Sequence, residues 1–136
     1  MDAIRAAPFP ESISPALPRA ERARRILERD APECVWCRRP LEPGHPHLSL
    51  EHVIPRLKGG PAWPENEVCA CSSCNRRRGH VSPVDWLAEC ERRGLRPNRA
   101  AIRASLERLE GAIAARGGQR RARPYLAGQL RRLARA

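Results

Sequence analysis

The sequence predicts an α+β chain, mostly helical, organised around a four-cysteine zinc site with an N-terminal helix before it and C-terminal helices after it. Three observations carry that prediction. Cys34-x2-Cys37 and Cys71-x2-Cys74 are two CxxC pairs separated by 33 residues, the pattern of a tetrahedral zinc site in which each pair forms one knuckle. Between them, Leu48–Ile54 alternates in the period of a half-buried strand. Both flanks carry apolar residues at helical spacing. At 136 residues the chain has the length of one domain. Its predicted parts are an extended or disordered lead-in over 1–18, a zinc-stapled core over 19–80 and an Arg-rich helical extension over 81–136.

Residues 1–18 hold Pro8, Pro10, Pro15 and Pro18 and no periodic apolar pattern. From Arg19 the run RAERARRILERD predicts a helix with Ala23, Ile26 and Leu27 on one side. It should end at Asp30-Ala31-Pro32, because the residue before a proline disfavours helical backbone. Cys34 to Cys37 forms the first knuckle, and the Pro/Gly/His-rich Glu42–Pro46 a loop. In the strand that follows, Leu48, Leu50, His52 and Ile54 share one face and Ser49, Glu51 and Val53 the other, until Pro55 stops it. Lys58-Gly59-Gly60-Pro61 is a turn, and Glu67–Ala70 leads to the second knuckle and a short helix ending at Gly79.

Ser82-Pro83-Val84-Asp85 combines a cap residue, proline at the first helical position and an early acid, opening a helix that runs to Gly94. Asn98 caps a longer helix with Ile102, Leu106, Leu109 and Ile113 on one face, ended by Gly117-Gly118. After Pro124 a basic amphipathic helix carries Tyr125, Leu126, Leu130 and Leu133. Cys69 and Cys90 fall outside the knuckle spacing and are predicted to be small core hydrophobes.

The composition favours a metal-stapled fold. Only five residues are aromatic, and a core poor in large side chains commonly needs a metal or a disulfide. No apolar run of about 18 residues is present, so no membrane span is expected. The first residues lack an apolar signal region, so a cytoplasmic setting is expected, where CxxC pairs are more often metal ligands than disulfides. The net charge of +11 is one-sided: residues 1–75 hold ten basic and ten acidic side chains, whereas 76–136 hold sixteen Arg against five acids. A biased genome explains one Lys against 25 Arg but not the asymmetry, which points to a polyanion partner, a nucleic acid, for the second half.

Within the zinc clip lie groups that a purely structural site does not need. Four thiolates close a zinc site to substrate, so that ion is structural. His52 alone is most simply a core histidine. Beside Glu51, and across from an amide on a helix, it acquires a chemical reading: a neutral imidazole can take a proton from water. A carboxylate and an amide oxygen can hold a divalent ion against a phosphate.

At these residues the segment resembles the HNH endonucleases, specifically the zinc-bound subset with two CxxC pairs. The resemblance rests on Cys34-x2-Cys37, Glu51-His52-Val53-Ile54-Pro55, Gly59-Gly60, Asn66 and Cys71-x2-Cys74-Asn75-x2-Arg78-Gly79, about a third of the chain. It implies a small ββα-metal finger in residues 19–80 and a metal-dependent endonuclease hydrolysing DNA phosphodiesters. His52 would then be the general base, Glu51 and Asn75 ligands of a catalytic Mg2+ or another divalent ion, and Asn66 the brace that orients the histidine. Arg78 would contact a phosphate, and its neighbours Arg76 and Arg77, which directly follow the site, are further candidates for the nucleic-acid surface.

Three positions depart from the family pattern. Glu51 stands where Asp is commoner, Asn75 where the family name expects His, and Glu67 where an apolar residue is usual, which predicts a more exposed second strand. Glu51 and His52 are also consecutive, so they reach one site only if the strand ends or bulges there. The alternative from another class is a non-catalytic zinc-knuckle module that binds nucleic acid. A CxxC redox protein is a third reading, disfavoured by the two matched knuckles.

Overall fold

The computed structural model describes residues 12–135. Of the lead-in expected over 1–18, residues 1–11 lie outside the described residues. Helix α1, Arg19–Arg29, turns Ala23, Ile26 and Leu27 inward and stops one residue before Asp30, whose N–H still bonds Ile26 O. The first knuckle follows, and Trp36 within it is fully buried.

Strand β1, Leu48–His52, pairs antiparallel with β2, Glu67–Cys71, in an unbroken register from Leu48 opposite Cys71 to His52 opposite Glu67. The ladder ends at His52, with no bulge between Glu51 and His52. Between the strands the chain makes two single 3-10 turns, Arg56–Lys58 and Pro64–Asn66. Helix α2, Ser72–Arg78, starts at the second knuckle: Cys71 is its cap residue and its Sγ accepts from Cys74 N–H. The two strands and α2 form the expected ββα unit.

All of β2 is buried, which corrects the exposure expected from Glu67. Its carboxylate is 3% exposed because Arg22 of α1 reaches across with Nε at 2.8 Å from Oε1 and Nη2 at 3.3 Å from Oε2. A buried charge is tolerated when it is paired in this forked geometry. Cys69 beneath it points its thiol at Ala23 O in α1 and is buried, as is Cys90.

The C-terminal helices form where their caps predict. In α3, Pro83–Arg92, Ser82 Oγ accepts from Asp85 N–H; in α4, Arg99–Arg116, Asn98 Oδ1 accepts from Ala101 N–H. Ile102, Leu106, Leu109 and Ile113 of α4 are all buried. Helix α5, Ala122–Arg135, starts two residues before Pro124. A proline in the first turn removes no intrahelical bond, since those N–H groups have no partner there.

These helices are braces as well as a charged surface. Ser105 of α4 donates to Glu65 O at 2.8 Å, and Arg116 at the end of α4 pairs with the Glu65 carboxylate while lying over the Trp63 ring. The start of α5 sits on Gly59 so closely that an added Cβ would stand 2.8 Å from Arg121 Cβ. Arg121 also donates to Leu57 O. Both helices therefore hold the loop that links β1 to β2.

Candidate functional site

The knuckles bring the sulfur atoms of Cys34, Cys37, Cys71 and Cys74 within 4.8 Å of one another, the one such cluster of potential metal ligands among the described residues. A tetrahedron with zinc–sulfur bonds of about 2.3 Å places its sulfurs about 3.8 Å apart, and Cys37 Sγ lies 3.9 Å from Cys71 Sγ. That spacing is far beyond a disulfide bond of about 2.05 Å. Backbone N–H groups of Trp36 and Cys74 point at Cys34 and Cys71 Sγ. The thiols also respond to one another: hydrogen bonding from Cys74 pulls Cys34 down to about 5, burial pushes Cys37 up to about 11, and the bond to Cys34 raises Cys74. Four thiols so close cannot all ionise unaided, and a divalent ion removes that conflict. The donor set fits zinc.

On the next strand, alternation divides the site. Ser49 and Glu51 face α2, where Asn75 Nδ2 donates to Ser49 Oγ at 2.6 Å and Arg78 Nη1 to Glu51 Oε2 at 2.8 Å. His52 lies on the other face, opposite Glu67 and half-buried. Burial lowers the His52 pKa; Arg56, Arg22 and Arg78 add to that and Glu67 opposes it. Its imidazole is thus kept neutral at pH 7.

Glu51 is 6% exposed. Its Oε2 accepts from both Arg78 and Trp36 Nε1, the latter at 2.5 Å, while its Oε1 is buried and meets no donor among the described residues. Burial pushes its carboxyl up, against the pull of Arg78. Asn75 uses its amide nitrogen on Ser49, and no hydrogen bond from a described residue reaches its amide oxygen. These two free oxygens lie on the α2 side of β1, and hard oxygen donors of this kind suit Mg2+, which commonly takes only one or two protein ligands beside phosphate and water. The donors fit such an ion in number and chemistry.

Asn66 is fully buried. Its Oδ1 accepts from Ile54 N–H at 2.8 Å, and its Nδ2 donates to Ile54 O and Pro61 O at 3.1 and 3.0 Å. The side chain thereby ties the segment leaving β1 to the Gly59-Gly60 turn. Gly60 is required there, since an added Cβ would lie 1.8 Å from Ile54 O.

Residues 34–80 match the HNH endonuclease family. No curated protein matches the chain. The HNH segment contains both knuckles, β1, β2 and α2, together with Glu51, His52, Asn66 and Asn75.

Within the HNH segment one expected role is corrected. Arg78, expected at a phosphate, is 1% exposed and spends its guanidinium on Glu51, His52 O, Val53 O and Val81 O. Helical geometry is the cause: Arg78 follows Cys74 by four and Asn75 by three, on the face turned to the sheet, whereas Arg76 and Arg77 are exposed. Sequence reasoning also missed Trp36, Ser49 and Arg22. Nothing local in the chain links Trp36 to Glu51, although a tryptophan in a knuckle needs a partner for its indole N–H when buried.

Proposed function

We propose that the chain is a metal-dependent endonuclease that hydrolyses DNA phosphodiester bonds with His52 as general base. The observation that carries the proposal is the HNH match over a segment holding His52, Glu51, Asn66 and Asn75. His52 stands at the last position of β1, and its neutral imidazole takes a proton from the attacking water. Asn66 fixes the backbone that follows His52, and so limits how the ring can move. Glu51 Oε1 and Asn75 Oδ1 would hold a divalent ion, which when bound supplies positive charge at the scissile phosphate. The zinc clip holds both knuckles and takes no part in chemistry. Arg76 and Arg77 position the DNA backbone by charge, without reading sequence.

A second reading has an observation in its favour. Arg78 already neutralises Glu51, and Glu51 and His52 face opposite sides of an unbulged ladder. A zinc-knuckle module that only binds nucleic acid would look like this. The two readings separate in one assay of zinc-loaded protein with supercoiled plasmid and Mg2+ or Mn2+. The endonuclease nicks the plasmid, and His52→Ala abolishes nicking with zinc content intact. Nicking at the wild-type rate by that variant overturns the mechanism, and salt-sensitive binding without any nicking selects the binding module.

A further inference from the structure

Glu51 is held on one side only. Two donors converge on one of its oxygens: Trp36 from the first knuckle and Arg78 from the end of α2. The same guanidinium lies 5.2 Å from the centre of the Trp36 ring. It also donates to the carbonyls of His52 at 3.0 Å and Val53 at 2.6 Å, and to Val81 at 2.9 Å. One buried cation therefore touches the candidate ligand, the backbone of the candidate base and the turn after α2. The opposite oxygen, Oε1, is buried and without a donor among the described residues.

We propose that Arg78 and Trp36 are positioning residues that occupy Glu51 Oε2 and so present Oε1 toward a divalent cation, coupling the zinc clip to the second metal site. This rests on the endonuclease reading for the cation's purpose but not for its binding. A long carboxylate side chain has rotatable bonds that a shorter one lacks, and two donors on one oxygen remove that freedom. Trp36 is fixed because Cys34 and Cys37 flank it, and Arg78 because Cys74 and Asn75 share its helical face. Partners of this kind behind a ligand are typically worth 10–100-fold in metal affinity. Arg78 is the less replaceable of the two, since a lysine offers a point charge and not a fork.

The test measures Mn2+ binding by electron paramagnetic resonance on the full-length, zinc-loaded protein, with nicking recorded in parallel. Arg78→Lys and Trp36→Phe keep charge and bulk respectively, and circular dichroism and zinc content confirm folding. The expected result is a Mn2+ affinity lowered roughly tenfold in each variant and abolished in Glu51→Gln. The salt dependence of DNA binding should stay at the wild-type slope in Arg78→Lys, because a group that is 1% exposed meets no phosphate. A merely structural role would lower thermal stability and leave the affinity of folded protein unchanged. Wild-type Mn2+ affinity in both variants, or no Mn2+ binding beyond the cysteine site in the parent, overturns the proposal. Mn2+ binding that follows this order in a protein that leaves plasmid uncut supports the positioning role and removes the hydrolytic reading.

Discussion

Replacing Asn66 by alanine removes three hydrogen bonds that no other group in the loop can replace. The loss is not equal at the three partners. Ile54 N–H is buried and would lose its only acceptor, the Oδ1 at 2.8 Å, which costs about 2 kcal/mol for a stranded donor. Ile54 O would lose the 3.1 Å bond from Nδ2, worth about 1 kcal/mol. Pro61 O, bonded at 3.0 Å, is only partly buried and can turn to water, leaving about 0.5 kcal/mol. The sum is about 3.5 kcal/mol, a large share of a domain's usual 5–15 kcal/mol. Urea unfolding of zinc-saturated protein, followed by the fluorescence of Trp36, Trp63 and Trp86, measures it directly. At a typical slope of about 1.5 kcal/mol per molar urea the midpoint should fall by roughly 2 M with the slope unchanged. Asn66→Asp keeps an acceptor for Ile54 N–H but sets a carboxylate oxygen against two carbonyls, so it should be no more stable than Asn66→Ala. A loss below about 1 kcal/mol in the alanine variant would refute the brace, because that is the effect of a surface substitution.

Three further outcomes are expected. Stripping zinc with a chelator at pH 7, or replacing Cys71 by serine, should abolish the cooperative unfolding transition, since the cysteine cluster holds both knuckles and caps α2; a cooperative transition in metal-free protein would show the cluster to be dispensable. Arg76→Ala and Arg77→Ala should each reduce the salt slope of DNA binding by about one unit, as read by fluorescence anisotropy across a salt series, and an unchanged slope in the double variant would remove them from the interface. Asp85 is paired with Arg132 of α5, whose hydrogen bond holds the carboxyl below its usual range. A depressed carboxyl stabilises above its unfolded pKa, and that contribution fades as pH falls through the folded value. With Asp85 58% exposed, Asp85→Asn should cost less than about 1 kcal/mol at pH 7, and the loss should shrink as salt screens the pair, so a melting-temperature gap of zinc-loaded protein that salt left unchanged would contradict the pairing.

Much of this architecture is written locally. The knuckle spacing places the thiols two by two, because each pair is one turn, while the two pairs are joined at long range, where Val35 N–H bonds Cys69 O at 3.0 Å. Ser82 and Asn98 start α3 and α4 because a side-chain oxygen two or three residues before the free N–H groups is sufficient. The loop brace at Asn66 is less local, bridging twelve residues to Ile54. The site itself depends on contacts the alternation of a strand cannot specify. Alternation says which face Glu51 occupies, but what covers that face is Trp36 fifteen residues before it and Arg78 twenty-seven after it. In sequence Arg76, Arg77 and Arg78 are the same residue repeated. The helical period alone separates them, and the reading that treated them together lost that information.

The charge asymmetry illustrates a second limit, of a different kind. Counting along the chain makes residues 1–75 neutral and the remainder strongly basic. In space the halves are not self-contained: Glu65 of the first half pairs with Arg116 of the second, and Arg108 lies 3.7 Å from Asp30. Each such pairing removes an arginine of the second half from the surface offered to a polyanion. Arg56 and Arg39 of the first half, both exposed and outside any ion pair among the described residues, stay in that surface. The basic surface is therefore not the second half of the sequence. It is the set of cations left over after folding, and Arg56, in the 3-10 turn four residues after His52, belongs to it.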